Sequence, residues 1–160
     1  MYHRLMSAAV LAVAVAAVTG SPATTFADPS RNVISAFRGQ LVISKDELPE
    51  GKNDADTIKK IKAVALKELV GEPKGEITLW QFHYSAFLKQ TGSSKLKMEF
   101  MNGKQLAADK QLDSVDPKSS LLLGDITIDE DEGLAKGKTY TVQLVNAKDQ
   151  VVSSTTLTMK

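Results

Sequence analysis

One imidazole, His83, is the natural starting point for chemistry once His3, close to the first residue, is set aside. Imidazole titrates near neutral pH and can take the proton of a serine hydroxyl. Ser85 stands two residues away, on the same face of a strand-like pattern. The rest of a hydrolase is missing from the sequence. No Gly-x-Ser-x-Gly elbow occurs, and with no cysteine there is neither a Cys–His pair nor a His/Cys set for zinc. His83 therefore reads as a polar strand residue facing away from Trp80 and Phe82. No catalytic, cofactor-binding or metal-binding residue is assigned, and the chain is expected not to be an enzyme.

The densest acidic stretch is Asp125, Asp129, Glu130, Asp131 and Glu132. Asp129-x-Asp131 before Gly133 offers hard oxygens, and Ca²⁺ takes six to eight of them. The spacing fits no EF-hand loop, so the stretch reads as a solvated loop between strands. Gly137-Lys138-Thr139 looks like the end of a phosphate-binding loop. That motif needs a glycine where Glu132 stands and a helix where a strand follows. Trp80, Phe82 and Tyr84 alternate on one strand face and would suit stacking on sugars or bases. They share that face with Ala86 and Leu88, which points to a core. Lys59, Lys60, Lys62 and Lys67 suggest contact with anionic lipid or lipopolysaccharide, but a solubilising helix face is the simpler account.

What must position these residues depends first on where the folded part begins. His3 and Arg4 precede an apolar run, Met6 to Val18, and Thr25-Phe26-Ala27 puts small residues at the positions a signal peptidase reads. Residues 1–27 are expected to be a signal peptide, with the mature chain starting at Asp28. The run is shorter than the ~20 apolar residues of a membrane span, so no transmembrane anchor is expected after cleavage. No lipoprotein cysteine is present. Leu48-Pro49-Glu50-Gly51 resembles a sortase sorting signal but lacks its threonine and lies far from the end of the sequence.

The chain carries 20 Lys plus Arg and 19 Asp plus Glu. With Arg4 in the leader, residues 28–160 are electrically neutral, which argues against nucleic-acid binding. An exported chain without cysteine rests on its core alone, and no Asn-x-Ser/Thr sequon occurs. Both observations fit a secreted or periplasmic bacterial protein better than one from an animal secretory route.

Residues 28–36 read as a flexible lead-in, and residues 37–160 as one domain. Phe37 to Ser44 is a first strand, and Lys45 to Asn53 a loop marked by Pro49 and Gly51. The one strong helix spans about 55–70. Asp54 or Asp56 would cap it, Ile58, Ile61, Ala65 and Leu69 form its apolar stripe, and Gly71 and Pro73 would end it. From Glu76 onward the period is two. Asn102-Gly103 is a hairpin signal, with Lys104 to Gln111 as its return strand. Asp116-Pro117 marks a turn. Leu121 to Asp129, Tyr140 to Leu144 and Val151 to Met159 are further strands. Phe87 and Met101, off the core faces, would meet the helix stripe.

Leu134-Ala135-Lys136-Gly137-Lys138-Thr139-Tyr140-Thr141-Val142 resembles the tyrosine corner of fibronectin type III and immunoglobulin-like domains. Leu134, Gly137 and Tyr140 match that pattern, and Lys136 stands where many fibronectin domains have proline. The resemblance covers roughly the last 85 residues. It implies a mainly β, antiparallel immunoglobulin-like sandwich, a Tyr140 hydroxyl bonded back to the backbone, and Trp80 as a buried aromatic of an early strand. The helix then becomes an insertion after the first strand, folding over one end or edge. The expected function is a non-enzymatic binding module of a bacterial envelope. It would be monomeric, with another envelope protein or a glycan as partner. Contact regions would be Lys45 to Asn53, the lysine-bearing helix face and Asp129 to Gly133. The alternative is a strand-pairing assembly protein, a pilus-like subunit or periplasmic chaperone, using Val151 to Met159 or Asp28 to Phe37. A hydrolase comes third.

Overall fold

The computed structural model describes residues 28–89, 93–113 and 115–160. The expected signal peptide, residues 1–27, lies outside the described residues.

In chain order the elements are α1 (Arg31–Phe37), β1 (Leu41–Ser44), α2 (Asp54–Val64), β2 (Glu68–Leu69), β3 (Glu72–Lys74), β4 (Ile77–Phe87), β5 (Leu96–Asn102), β6 (Gln105–Leu112), β7 (Leu121–Asp129), a 3-10 turn (Glu130–Glu132), β8 (Thr139–Asn146) and β9 (Val151–Met159). Among the described residues the protein is mainly β, with two sheets and two helices. In the first sheet β4 is central. β7 lies along one side of it, and β1 and β3 share the other. The second sheet runs β2-β9-β8-β5-β6. Every pairing is antiparallel except β2 with β9 and a single bridge from Gln40 to Ser154.

The two sheets share one apolar core because each strand turns alternate side chains inward. Trp80, Phe82, Tyr84, Ala86, Ile126 and Ile128 come from the first sheet, and Met98, Phe100, Val142, Leu144 and Leu157 from the second. Phe82 meets Phe100 edge-on between the sheets, with centroids 6.5 Å apart. The aromatic alternation on β4 is therefore core, as its apolar neighbours indicated. Tyr84 lies over Gly124, where an added Cβ would sit 2.6 Å from the phenol oxygen. Burial, and the charge of Asp125, push that phenol's pKa up.

β4 is buried on both faces at its far end, where Ser85 and Phe87 face away from the main core. The helices are the cause. Val33, Phe37, Val42, Leu48, Ile61 and Phe87 form a second apolar cluster on the outside of the first sheet. Phe87 meets the helices as expected. Met101 does not: it is half-buried on the second sheet, paired with Thr141.

Several expectations for the N-terminal third are corrected. Residues 28–36 are not a loose lead-in throughout, because Arg31–Phe37 is helical. The Ser30 hydroxyl accepts the Val33 N–H, and Val33 and Phe37, one turn apart, supply the buried anchors. The first strand therefore starts at Leu41, and Phe37 belongs to the second cluster. The helix expected over 55–70 stops at Val64. Beyond it the backbone finds strand partners: Leu66 N–H donates to Ile43 O at 2.8 Å, and Thr158 N–H to Lys67 O at 2.9 Å. Leu69 is thus buried from a strand in the main core, not from the helix stripe. Asn53 is the cap of α2, its Oδ1 accepting Asp56 N–H at 3.0 Å. Asp56 instead accepts Lys52 N–H at 2.9 Å, and that bond, with Lys60, holds its carboxyl below the usual range. Gly71 ends no helix. It lets the chain pass Trp80, whose Nε1 would lie 2.7 Å from an added Cβ.

The later turns follow their residue types. Gly103 takes φ 62 in the β5–β6 hairpin, and Asp149 takes φ 55 in the β8–β9 hairpin. The chain crosses between sheets after β7, and there the Tyr140 hydroxyl accepts Ala135 N–H at 2.9 Å. Tyr140 is 3% exposed. Tyr140→Phe is expected to lower stability by about 1 kcal/mol, read as a shift in the urea midpoint with an unchanged slope. An unchanged midpoint would remove the hydroxyl's role.

Candidate functional site

His83 projects from the outer face of the first sheet, where its Nδ1 meets the Asp125 carboxylate across the β4–β7 ladder. Ser85, two residues on, is buried on the same face, under the helical layer. Among the described residues no hydrogen bond joins the two, so the arrangement offers a carboxylate-held imidazole without a serine to activate.

The acidic stretch is largely engaged within the fold. Glu130 Oε2 accepts Thr78 N–H at 3.1 Å, pinning the 3-10 turn to β4. Asp129 Oδ2 faces Lys74 Nζ at 3.3 Å. Glu132 pairs with Lys110 and reaches back to Asp129 N–H at 3.1 Å, as the acidic partner of a capping box does. These bonds engage one oxygen each of Asp129 and Glu130 and both of Glu132, while Asp129 Oδ1 is buried without a hydrogen-bond partner among the described residues. Among the described residues no three acidic or imidazole groups converge as a metal set. Gly137-Lys138-Thr139 leads into β8, and Gly137 N–H donates to Met159 O at 2.6 Å, so the segment is a turn between sheets.

The loop Lys45 to Asn53 is tied to α2. Leu48 is buried in the second cluster, Gly51 N–H donates to Thr57 Oγ1 at 2.9 Å, and Lys60 Nζ donates to Glu50 O at 3.0 Å. Lys60 also faces Asp56 at 3.3 Å, one helical turn away. Lys62 and Lys67 differ. Both are exposed, and among the described residues neither side chain has an ion-pair partner.

These two lysines stand at a cleft of about 450 Å³, within the size range of ligand sites. Its inner wall is apolar: Phe37, Leu41, Val42, Ile43, Ala65 and Leu66. Its other wall is polar, formed by Gln40 and by Ser154, Thr155 and Thr156 of β9. The topology makes the cleft. The chain leaves β9 after the Gln40–Ser154 bridge, crosses to the first sheet as β1, forms α2, and returns to β9 only at Glu68, opposite Thr158. Between those two contacts the edge of β9 is open. Ser154 N–H bonds Gly39 O at 3.1 Å and Thr158 N–H bonds Lys67 O at 2.9 Å. By ladder alternation Thr156 turns its N–H and C=O to the same edge. No partner among the described residues meets them there.

Of the three contact regions expected from sequence, only the lysines contribute to this cleft, and Lys67 does so from the segment after the helix. Ser154, Thr155, Thr156 and the β1 residues carried no signal beyond strand periodicity. Their proximity is set by the crossover between sheets, which has no local pattern. Among the described residues no helix is long and apolar enough to cross a membrane. No protein-family model, no curated protein and no solved structure matches this chain.

Proposed function

We infer that residues 28–160 form an exported, non-enzymatic binding module of a bacterial envelope, built as an immunoglobulin-like sandwich, whose ligand seats in the cleft between β1, the end of α2 and β9. The cleft carries this reading: it joins an apolar wall, open strand-edge groups and two unpaired cations in one place.

The immunoglobulin-like reading is supported by strand order. β1, β4 and β7 correspond to strands A, B and E of that fold, and β5, β8 and β9 to C, F and G. β2, parallel to the last strand, then extends the first strand onto the second sheet. The tyrosine hydroxyl at the corner before β8 agrees with this assignment. Export is supported by the leader pattern of residues 1–27.

A photo-crosslinking residue placed at Thr156 in the native cell tests the reading. One discrete adduct in the envelope fraction, absent when the same residue replaces exposed Gln111, is the expected result. Equal labelling from both positions, or none from Thr156, would remove the cleft as the working surface.

The strand-pairing alternative has one observation in its favour. Among the described residues β7 pairs only with β4, so the other edge of this nine-residue strand has no partner there. Asp125 and Asp129 on that strand oppose it, since edge charges discourage pairing. The module reading expects a monomer by size-exclusion chromatography, and ladders of oligomers would favour assembly instead.

A further inference from the structure

Resting on that reading of the cleft, we propose that its ligand is a short, extended, acidic peptide segment, held by backbone pairing to the open edge of β9 at Thr156 and by carboxylate contacts to Lys62 and Lys67. The backbone geometry supplies the first half. Thr156 offers one N–H and one C=O to the gap between the Ser154 and Thr158 contacts. On the facing strand, Val42 and Ser44 pair toward β4, because Phe87 N–H bonds Gln40 O at 3.0 Å and the ladder alternates from there. Leu41 and Ile43 therefore direct their backbone groups to the cleft side. Ile43 O is taken by Leu66 N–H, and Leu41 and Ile43 are only 2% and 1% exposed, so this edge is closed to a ligand and the open edge is that of β9. An exposed strand edge with an unpaired donor and acceptor is what an extended peptide recognises by strand addition.

Charge supplies the second half. Lys62 lies in the last turn of α2, and Lys67 in the segment just before β2. Both line the cleft, and no carboxylate among the described residues answers either. The other cleft residues are neutral, so the local field is positive in a chain whose residues 28–160 are neutral. A glycan fits the walls less well. The one aromatic in the lining, Phe37, is 2% exposed and stacked against Phe87 with centroids 5.0 Å apart, so it presents no face for a sugar.

The test uses a fluorescein-labelled hexapeptide of alternating Glu and Val. Its affinity is read by anisotropy, and its position by amide chemical shifts on the full mature chain. The expected result is saturable binding that moves the amide of Thr156 and those of its neighbours Thr155 and Ser154 on the cleft wall, and weakens with added salt. Affinity should fall at least tenfold for Lys62→Gln/Lys67→Gln. Both side chains are exposed and unpaired, so the variant's unchanged strand amides would verify its fold. The same loss is expected for the peptide with Gln in place of Glu. Backbone N-methylation of the Glu peptide should weaken it too, since it removes donors to the edge of β9. Equal binding of the Gln peptide, or free glutamate binding as tightly as the hexapeptide, would overturn the proposal. If the hexapeptide leaves the cleft amides unmoved while Thr156 still crosslinks in the cell, the ligand class is wrong and the cleft stands. If neither occurs, both readings fall.

Discussion

Trp80→Ala is expected to lower stability by about 3–5 kcal/mol, a large share of the 5–15 kcal/mol typical of a folded domain. Trp80 is fully buried on β4. Its removal deletes the largest side chain of the main core and leaves a void between two sheets whose strand registers resist collapse. The indole also does a second job. Its Nε1 donates to Lys160 O at 3.1 Å, and the same carbonyl accepts Gly71 N–H at 2.9 Å. Trp80→Phe separates the two contributions, because it keeps most of the apolar volume and loses the bond. Urea unfolding of both variants decides the matter. A midpoint for Trp80→Ala within error of the parent would show that this residue does not anchor the core.

Phe87→Ala is expected to cost a similar amount, about 3–5 kcal/mol, but with a different spatial signature. Phe87 is fully exposed to protein and not at all to water, and it faces Phe37 and the helices instead of the second sheet. Its ring is the floor on which α1 and α2 rest. α1 has only seven residues and cannot persist without packing. Hydrogen exchange should therefore show α1 and α2 losing protection before β8 and β9 do. Helical amides as protected as in the parent would mean that the second cluster does not depend on this side chain.

Much of the β architecture was legible because it rests on local alternation and turn chemistry. β7 spans the residues its pattern marked, Leu121–Asp129, and the Asn102-Gly103 hairpin falls where two turn formers meet. The N-terminal third was less legible. α1 is too short to show a helical period, and its two anchors are Val33 and Phe37 alone. The stripe Ile58, Ile61, Ala65, Leu69 was a true apolar pattern, but its last member is satisfied by a parallel two-residue pairing with β9 that no local signal announces. The cleft was illegible for the same reason. Lys62 and Thr156 are far apart in sequence and meet only because one segment leaves and rejoins the same strand edge.

That departure and return also orders the events of folding. Gln40 and Glu68 both need β9, a strand made more than eighty residues after either of them. While the chain is being synthesised, β1 and the helices can settle on β4, but the Gln40 and Glu68 ends have no strand to meet until β9 is made. Closing such long loops must be completed before the contacts repay it. Sandwiches with contacts this distant in sequence fold on the millisecond-to-second scale. The two contacts that bound the cleft can therefore form only once the final strand has docked, and the cleft comes into being with them.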